Sequence, residues 1–200
     1  EENFNGYFIR SQSNLTPLEQ RYGIAPFGQG VRLGTQLPRF NADVTPNEPN
    51  RFGWVVEIDP FSPESTPVKH TGLGRLKHEG AWVQEAKDGR VVVYMGDDQV
   101  NEYIYRYVSR QPWKKAFKHG KHPLDDGTIL VGKFKADGTG EWLPLTPDNP
   151  ALAGWSLADI LINTRGAADA AGGTKMDRPE WIDTIPKTLE VLCTLTNNSG

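Results

Sequence analysis

Cysteine is nearly absent. Cys193 stands alone in a chain of 200 residues, so neither an internal disulfide nor a cysteine-cluster metal site can form. Strand alternation over Leu189 to Leu195 puts it on one face with Leu189, Val191 and Leu195, which predicts a buried, inert thiol. Long apolar runs are also missing, and none approaches the ~20 residues of a membrane-crossing helix. Positive charge is not in excess either. The net charge is −3 and the isoelectric point about 5.8, which argues against a nucleic acid partner, since phosphate backbones select a basic footprint. The basic run from Trp113 to His122, carrying Lys114, Lys115, Lys118 and Lys121, therefore reads as a solvated loop between strands. His119 and His122 within it are close enough for opportunistic metal binding, with no catalysis attached to them.

Several familiar signatures fail for want of one part. Asp125-Asp126-Gly127 lacks the spaced oxygen ligands and terminal Glu of an EF-hand, and His78-Glu79 lacks the second histidine of a zinc helix. Gly72-Leu73-Gly74 does not continue to the third glycine of a dinucleotide loop, and no Gly-x-Ser-x-Gly elbow occurs.

What is present is β texture. Residues 1–50 are rich in Asn, Pro, Gly and Gln and read as an irregular lead-in, relieved by a short helix near Leu15 to Tyr22. There Thr16 is the cap, Pro17 the first helical residue and Glu19 the third. From Phe52 onward short runs rich in Val, Ile, Tyr and Trp alternate with turns. The strand expectations are Trp54 to Ile58, Ala81 to Ala86, Arg90 to Met95, Glu102 to Ser109, Thr128 to Lys135, Glu141 to Leu145 and Thr188 to Leu195. Asp88-Gly89 and Asp137-Gly138 fall between such runs and predict hairpins. Tyr103, Tyr105 and Tyr107 share one face, which reads as the packed side of a sheet. One helix is expected near residues 157–170, started by Ser156 and Asp159 and ended at Gly172-Gly173.

That helix leads straight into Lys175-Met176-Asp177-Arg178-Pro179-Glu180-Trp181, a turn-like stretch that packs a guanidinium and two carboxylates close together. Its plainer reading is a salt-bridged turn whose Trp181 anchors it in the core. Carboxylates beside Gly or Pro at the ends of runs, namely Glu48, Glu79, Asp97, Asp98 and Glu180, are the residue type that hard cations select.

The run from Thr174 to Trp181 resembles the PhoX family of bacterial alkaline phosphatases. So do the run from Asn47 to Pro60, Lys77-His78-Glu79-Gly80-Ala81, Tyr94-Met95-Gly96-Asp97-Asp98 and the run from Gly138 to Leu145. These words occur in family order, which makes them more specific together than singly. The resemblance implies a mainly β fold of β-propeller-like antiparallel blades, about two of them, incomplete, over residues 51–200, as a fragment of a larger catalytic domain. Such an unclosed propeller would expose sheet edges and favour oligomers.

The resemblance further implies a metal-dependent phosphomonoesterase using Ca2+ and Fe3+, periplasmic or secreted, with phosphomonoesters as substrates and this segment inactive alone. Carried over word by word, Arg178 is expected to hold substrate phosphate, and Lys77 to add positive charge beside it. Glu48 and Glu180 are the first expected metal ligands, with Glu79 and Asp97 second. The family's iron-binding cysteine belongs to an upstream region, and that role does not pass to Cys193. The alternative is a non-catalytic, calcium-stabilised β-propeller that binds a partner.

Overall fold

The computed structural model describes residues 1–28, 31 and 33–196. It divides into two compact units, Glu1–Gly53 and Trp54–Gly200.

The first unit is built from short turns, because its Pro, Gly and Asn content cannot sustain long helices. Its one α-helix among the described residues, α1 (Pro17–Arg21), starts with a capping box in which the Thr16 hydroxyl accepts from Glu19 N and the Glu19 carboxylate accepts from Thr16 N. Phe8 is fully buried between Phe40 and Phe52, with ring centroids at 5.4 and 5.3 Å, and Phe4 packs on Tyr22. Isolated parallel bridges join Ile9 to Ala25 and to Asn41. Side chains satisfy much of the irregular backbone, as where Asn5 Nδ2 donates to Gly23 O and Asp43 accepts from Ser11 N.

The second unit opens with the antiparallel pair β1 (Val55–Glu57) and β2 (Val68–His70). Its centre is an antiparallel sheet of β3 (His78–Glu85), β4 (Arg90–Asp97), β6 (Ile104–Pro112), β7 (Gly127–Phe134) and β8 (Gly140–Pro144), side by side in that order. The short β5 (Val100–Glu102) precedes β6 and pairs elsewhere. Both Asp-Gly hairpins form, with the glycines at φ +78° (Gly89) and +82° (Gly138). One face of the sheet carries Val91, Val93, Met95, Tyr105, Tyr107, Ile129 and Val131 into the core, joined by Tyr103. Burial of each aliphatic side chain there contributes roughly 1.5–3 kcal/mol. Tyr107 donates its hydroxyl to Pro123 O at 2.9 Å, and burial pushes its phenol well above the ordinary range.

The architecture is thus mainly β and antiparallel with few helices. Instead of two four-stranded blades, the described residues give one five-stranded sheet and three strand pairs.

The single helix expected near 157–170 is two helices, α3 (Leu157–Ile162) and α4 (Thr164–Ala171). Ser156 and Asp159 form the capping box of α3, but Asn163 breaks the run at φ −112°, ψ 53° and caps α4 by accepting from Gly166 N. The break turns Ile160, Ala167 and Ala168 together onto the core. The basic run read as a loop contains a helix, α2 (Trp113–Lys118), whose lysines stay exposed while Ala116 is buried and Trp113 packs against the core cluster.

The stretch after α4 is strand, not turn. β9 (Met176–Asp177) pairs with β5, and β10 (Pro179–Thr184) pairs with β11 (Val191–Leu195). Trp181 is not a core anchor, being 57% exposed. Cys193 is half-buried in a strand whose neighbours Val191 and Leu195 are exposed, and Leu189 lies outside the strand at φ +61°. Burial nonetheless pushes the pKa of the thiol up to about 11, which disfavours the reactive thiolate.

Candidate active site

Two glycines create the place where the site is assembled. Gly80 of β3 and Gly96 of β4 are register partners, and the backbone of β10 lies directly over them. A Cβ added at position 96 would fall 2.4 Å from Glu180 O, and one at position 80 would fall 3.3 Å from the Trp181 ring. Only side-chain-free positions allow this approach. The crossing carries Arg178 and Glu180 to the end of β4, while the pairing of Val100 with Asp177 fixes the chain just before them.

The two aspartates at the end of β4 then part, as successive residues of extended chain must. Asp97 is fully buried and receives Arg165 of α4 in a two-pronged grip, Nε to Oδ2 at 2.7 Å and Nη2 to Oδ1, while its Oδ1 also accepts from Lys77 N at 3.1 Å. Asp98 grips Arg178 instead, with Nε to Oδ1 at 2.8 Å and Nη2 to Oδ2 at 2.9 Å. Arg178 Nη2 also reaches Glu180 Oε1 at 3.6 Å. Glu79 of β3 brings a carboxylate oxygen within 4.8 Å of one on Asp98.

Arg178 occupies φ +49°, an uncommon conformation for a side-chain-bearing residue and doubly disfavoured ahead of Pro179. Such a residue costs about 1–3 kcal/mol and persists only where its surroundings over-determine it. Here β9, β10 and the Asp98 fork do so. Lys77 is buried nearby, and burial, followed by the charge of Arg165, lowers its pKa, with Asp97, Asp98 and Glu102 acting in the opposite sense.

Glu79, within 4.8 Å of Asp98, and Glu180, 3.6 Å from Arg178, offer oxygen donors of the type that hard cations select. The fit is supported by Glu79, a half-buried carboxylate with no salt bridge or hydrogen bond among the described residues. Glu180 accepts from the Thr196 hydroxyl at 2.5 Å, which orients it.

The sequence profile described as alkaline phosphatase PhoX matches residues 1–200 of the chain. The chain belongs to that family. Among solved structures it is similar to Pseudomonas fluorescens PhoX in complex with vanadate, a transition-state analogue, with 46% sequence identity and a TM-score of 0.91. The match covers the whole of this chain and 37% of that one, so the chain spans little more than a third of its neighbour's length. No curated protein matches it.

Of the residues singled out from the PhoX words, Arg178 and Glu79 stand beside Asp98, Glu180 reaches Arg178, and Lys77 is close by. Asp97 does not join them, since Arg165 and Lys77 N occupy its carboxylate. Its neighbour Asp98 holds the Arg178-facing position. Glu48 belongs to the first unit, where Arg39 Nε and Arg51 Nη1 hold it at 2.5 and 3.2 Å. Burial opposes its ionisation, yet those guanidiniums hold its carboxyl below the usual carboxylate range. Arg165 escaped sequence reasoning altogether. Its only local signal is a charged residue in a run of small residues on a core-facing helix.

Proposed function

We propose that this chain contributes the phosphate-binding and part of the metal-holding wall of a metal-dependent phosphomonoesterase. The observation that carries the reading is the strained Arg178, oriented by Asp98 and flanked by Glu79 and Glu180. A guanidinium presents five N–H donors in a rigid fork, more than one carboxylate can take, and its planar edge suits phosphate oxygens. Asp98 fixes the plane of that fork before substrate arrives, which removes reorganisation from the binding step. Lys77, buried beside the acids, adds positive potential without being free to swing into solvent.

Glu79 and Glu180 would hold the hard cations, Ca2+ and Fe3+ by family resemblance, while Asp98 stays with Arg178, and such ions supply Lewis-acid charge neutralisation when bound. Glu48 and Asp97 leave the ligand set in this reading, because arginines already saturate them. The five-stranded sheet would be one blade of a propeller completed by the rest of the polypeptide. Periplasmic or secreted location follows the family habit.

The test is metal content of the full-length polypeptide, purified without added metal, followed by phosphomonoester hydrolysis with and without a calcium chelator. The expected result is iron and calcium together, with hydrolysis lost on chelation. Calcium alone with no hydrolysis would sink the reading in favour of a non-catalytic, calcium-stabilised binding module.

A further inference from the structure

A second cluster lies among elements that the site above does not use. His70, the last residue of β2, is buried to 1% side-chain exposure with both ring nitrogens facing carboxylates. Nδ1 lies 2.7 Å from Asp125 Oδ1, and Nε2 lies 3.0 Å from Glu57 Oε2 at the end of β1. His122, in the segment after α2, brings its Nε2 to 3.2 Å from the same Glu57 oxygen. The two imidazoles are stacked at 4.5 Å and 23°, and Phe117 closes against His122 edge-on at 5.4 Å. Ligand atoms of Glu57, His70 and His122 all fall within 4.8 Å of one another.

This arrangement poses a proton-counting problem. A neutral imidazole has one N–H. If Asp125 takes the Nδ1–H of His70, a lone pair on Nε2 faces a carboxylate oxygen at 3.0 Å, which is repulsive unless a cation stands between them. A second proton on His70, shared between the two carboxylates, is one answer. A metal ion is the other, and it uses the His122 nitrogen as well.

We propose that Glu57, His70 and His122 form a binding site for a divalent transition-metal ion of the zinc class, with Asp125 orienting His70 through Nδ1–H. Two imidazole nitrogens and one carboxylate make a three-ligand set that zinc accepts, with a fourth position left for water. The carboxylate behind the histidine is the usual device that sets the tautomer and raises ligand basicity. Nitrogen donors also select against calcium, which separates this site from the oxygen-only cluster around Arg178. Entry is open, because Glu57 is 51% and His122 27% exposed. Binding displaces one contact, the long 3.3 Å donation from Leu124 N to His122 Nδ1. The inference does not depend on the phosphatase reading.

The test uses the full-length polypeptide kept in calcium, equilibrated with Zn2+ and freed of excess by gel filtration. Zinc is counted by mass spectrometry, and affinity is read by competition with a chromophoric zinc indicator. The wild type should retain one zinc equivalent more than His122→Ala and Glu57→Gln, both altered at partly exposed positions with the fold checked by circular dichroism. Asp125→Asn should bind about 10–100-fold more weakly. Phosphomonoester hydrolysis should be the same in His122→Ala and wild type. Equal zinc in wild type and His122→Ala, or no zinc in either, would overturn the proposal and leave a protonated His70 as a structural ion-pair hub.

Discussion

The two polar clusters of the second unit solve opposite problems. Around Arg178 the donors are all oxygen and the positive charge is supplied by the chain itself, at φ +49° on a residue held by two strand pairings. Around His70 the donors are mixed nitrogen and oxygen, and the groups set against the Glu57 and Asp125 carboxylates are imidazoles. In the proposed readings the first serves an anion and hard cations, the second a single softer cation. The lesson is that chemistry follows from which counter-charge the fold has already provided, more than from the count of acidic residues.

The sharpest way to break this comparison is inside the first cluster, between the adjacent aspartates. Asp97→Ala removes the two-pronged partner of Arg165 at 0% exposure and leaves Glu102 Oε2 at 3.7 Å to face it, and should lower unfolding free energy by about 3–5 kcal/mol in denaturant titration. A loss below 1 kcal/mol would mean that the fork is not structural. Arg178→Ala should instead reduce phosphomonoester hydrolysis by the full-length polypeptide by roughly 10²–10³-fold while circular dichroism stays unchanged. Arg178→Lys should not restore it, since an ammonium cannot fork; full activity in either variant argues against a phosphate clamp.

Gly96→Ala tests the crossing itself. A methyl 2.4 Å from Glu180 O must move β10, so stability should fall by about 1–3 kcal/mol and hydrolysis should fall with it. Away from both clusters, Ser156→Ala removes the α3 cap and should cost about 1 kcal/mol, with activity and zinc binding untouched. The smallest effect concerns Cys193. Its thiol is raised to about 11, so its contribution to stability is complete below the unfolded pKa of ~8.5 and disappears as pH rises through 11. Alkylation of the native chain at pH 8 should accordingly be slow beside that of the unfolded chain; equal rates would refute the shift.

Local chemistry was legible in the sequence. The Asp-Gly hairpins, the capping boxes at Thr16 and Ser156, the buried tyrosine stripe and the strands from Ala81 to Leu145 all depend on neighbours within a few positions. Arg178, Glu180 and Glu79 were legible as words of the PhoX family. The strand character of Met176–Asp177 and Pro179–Thr184 was not, because it comes from pairing with β5 and β11 and from the flat ground of Gly80 and Gly96. Nor could the sequence say which of two neighbouring aspartates would face Arg165, since a strand end sends them to opposite sides and the helix break at Asn163 decides where Arg165 arrives.

By itself, then, the sequence determined the mainly β texture, its turns and caps, the lack of a disulfide within these 200 residues and the family, because each rests on local backbone preference, on composition or on contiguous words. The tertiary structure alone decided that Asp98 rather than Asp97 holds Arg178, that Trp181 faces outward, and that Glu57, His70 and His122 meet. Those outcomes depend on contacts between residues far apart in the chain, and distance along the chain carries no information about them until the strands have paired.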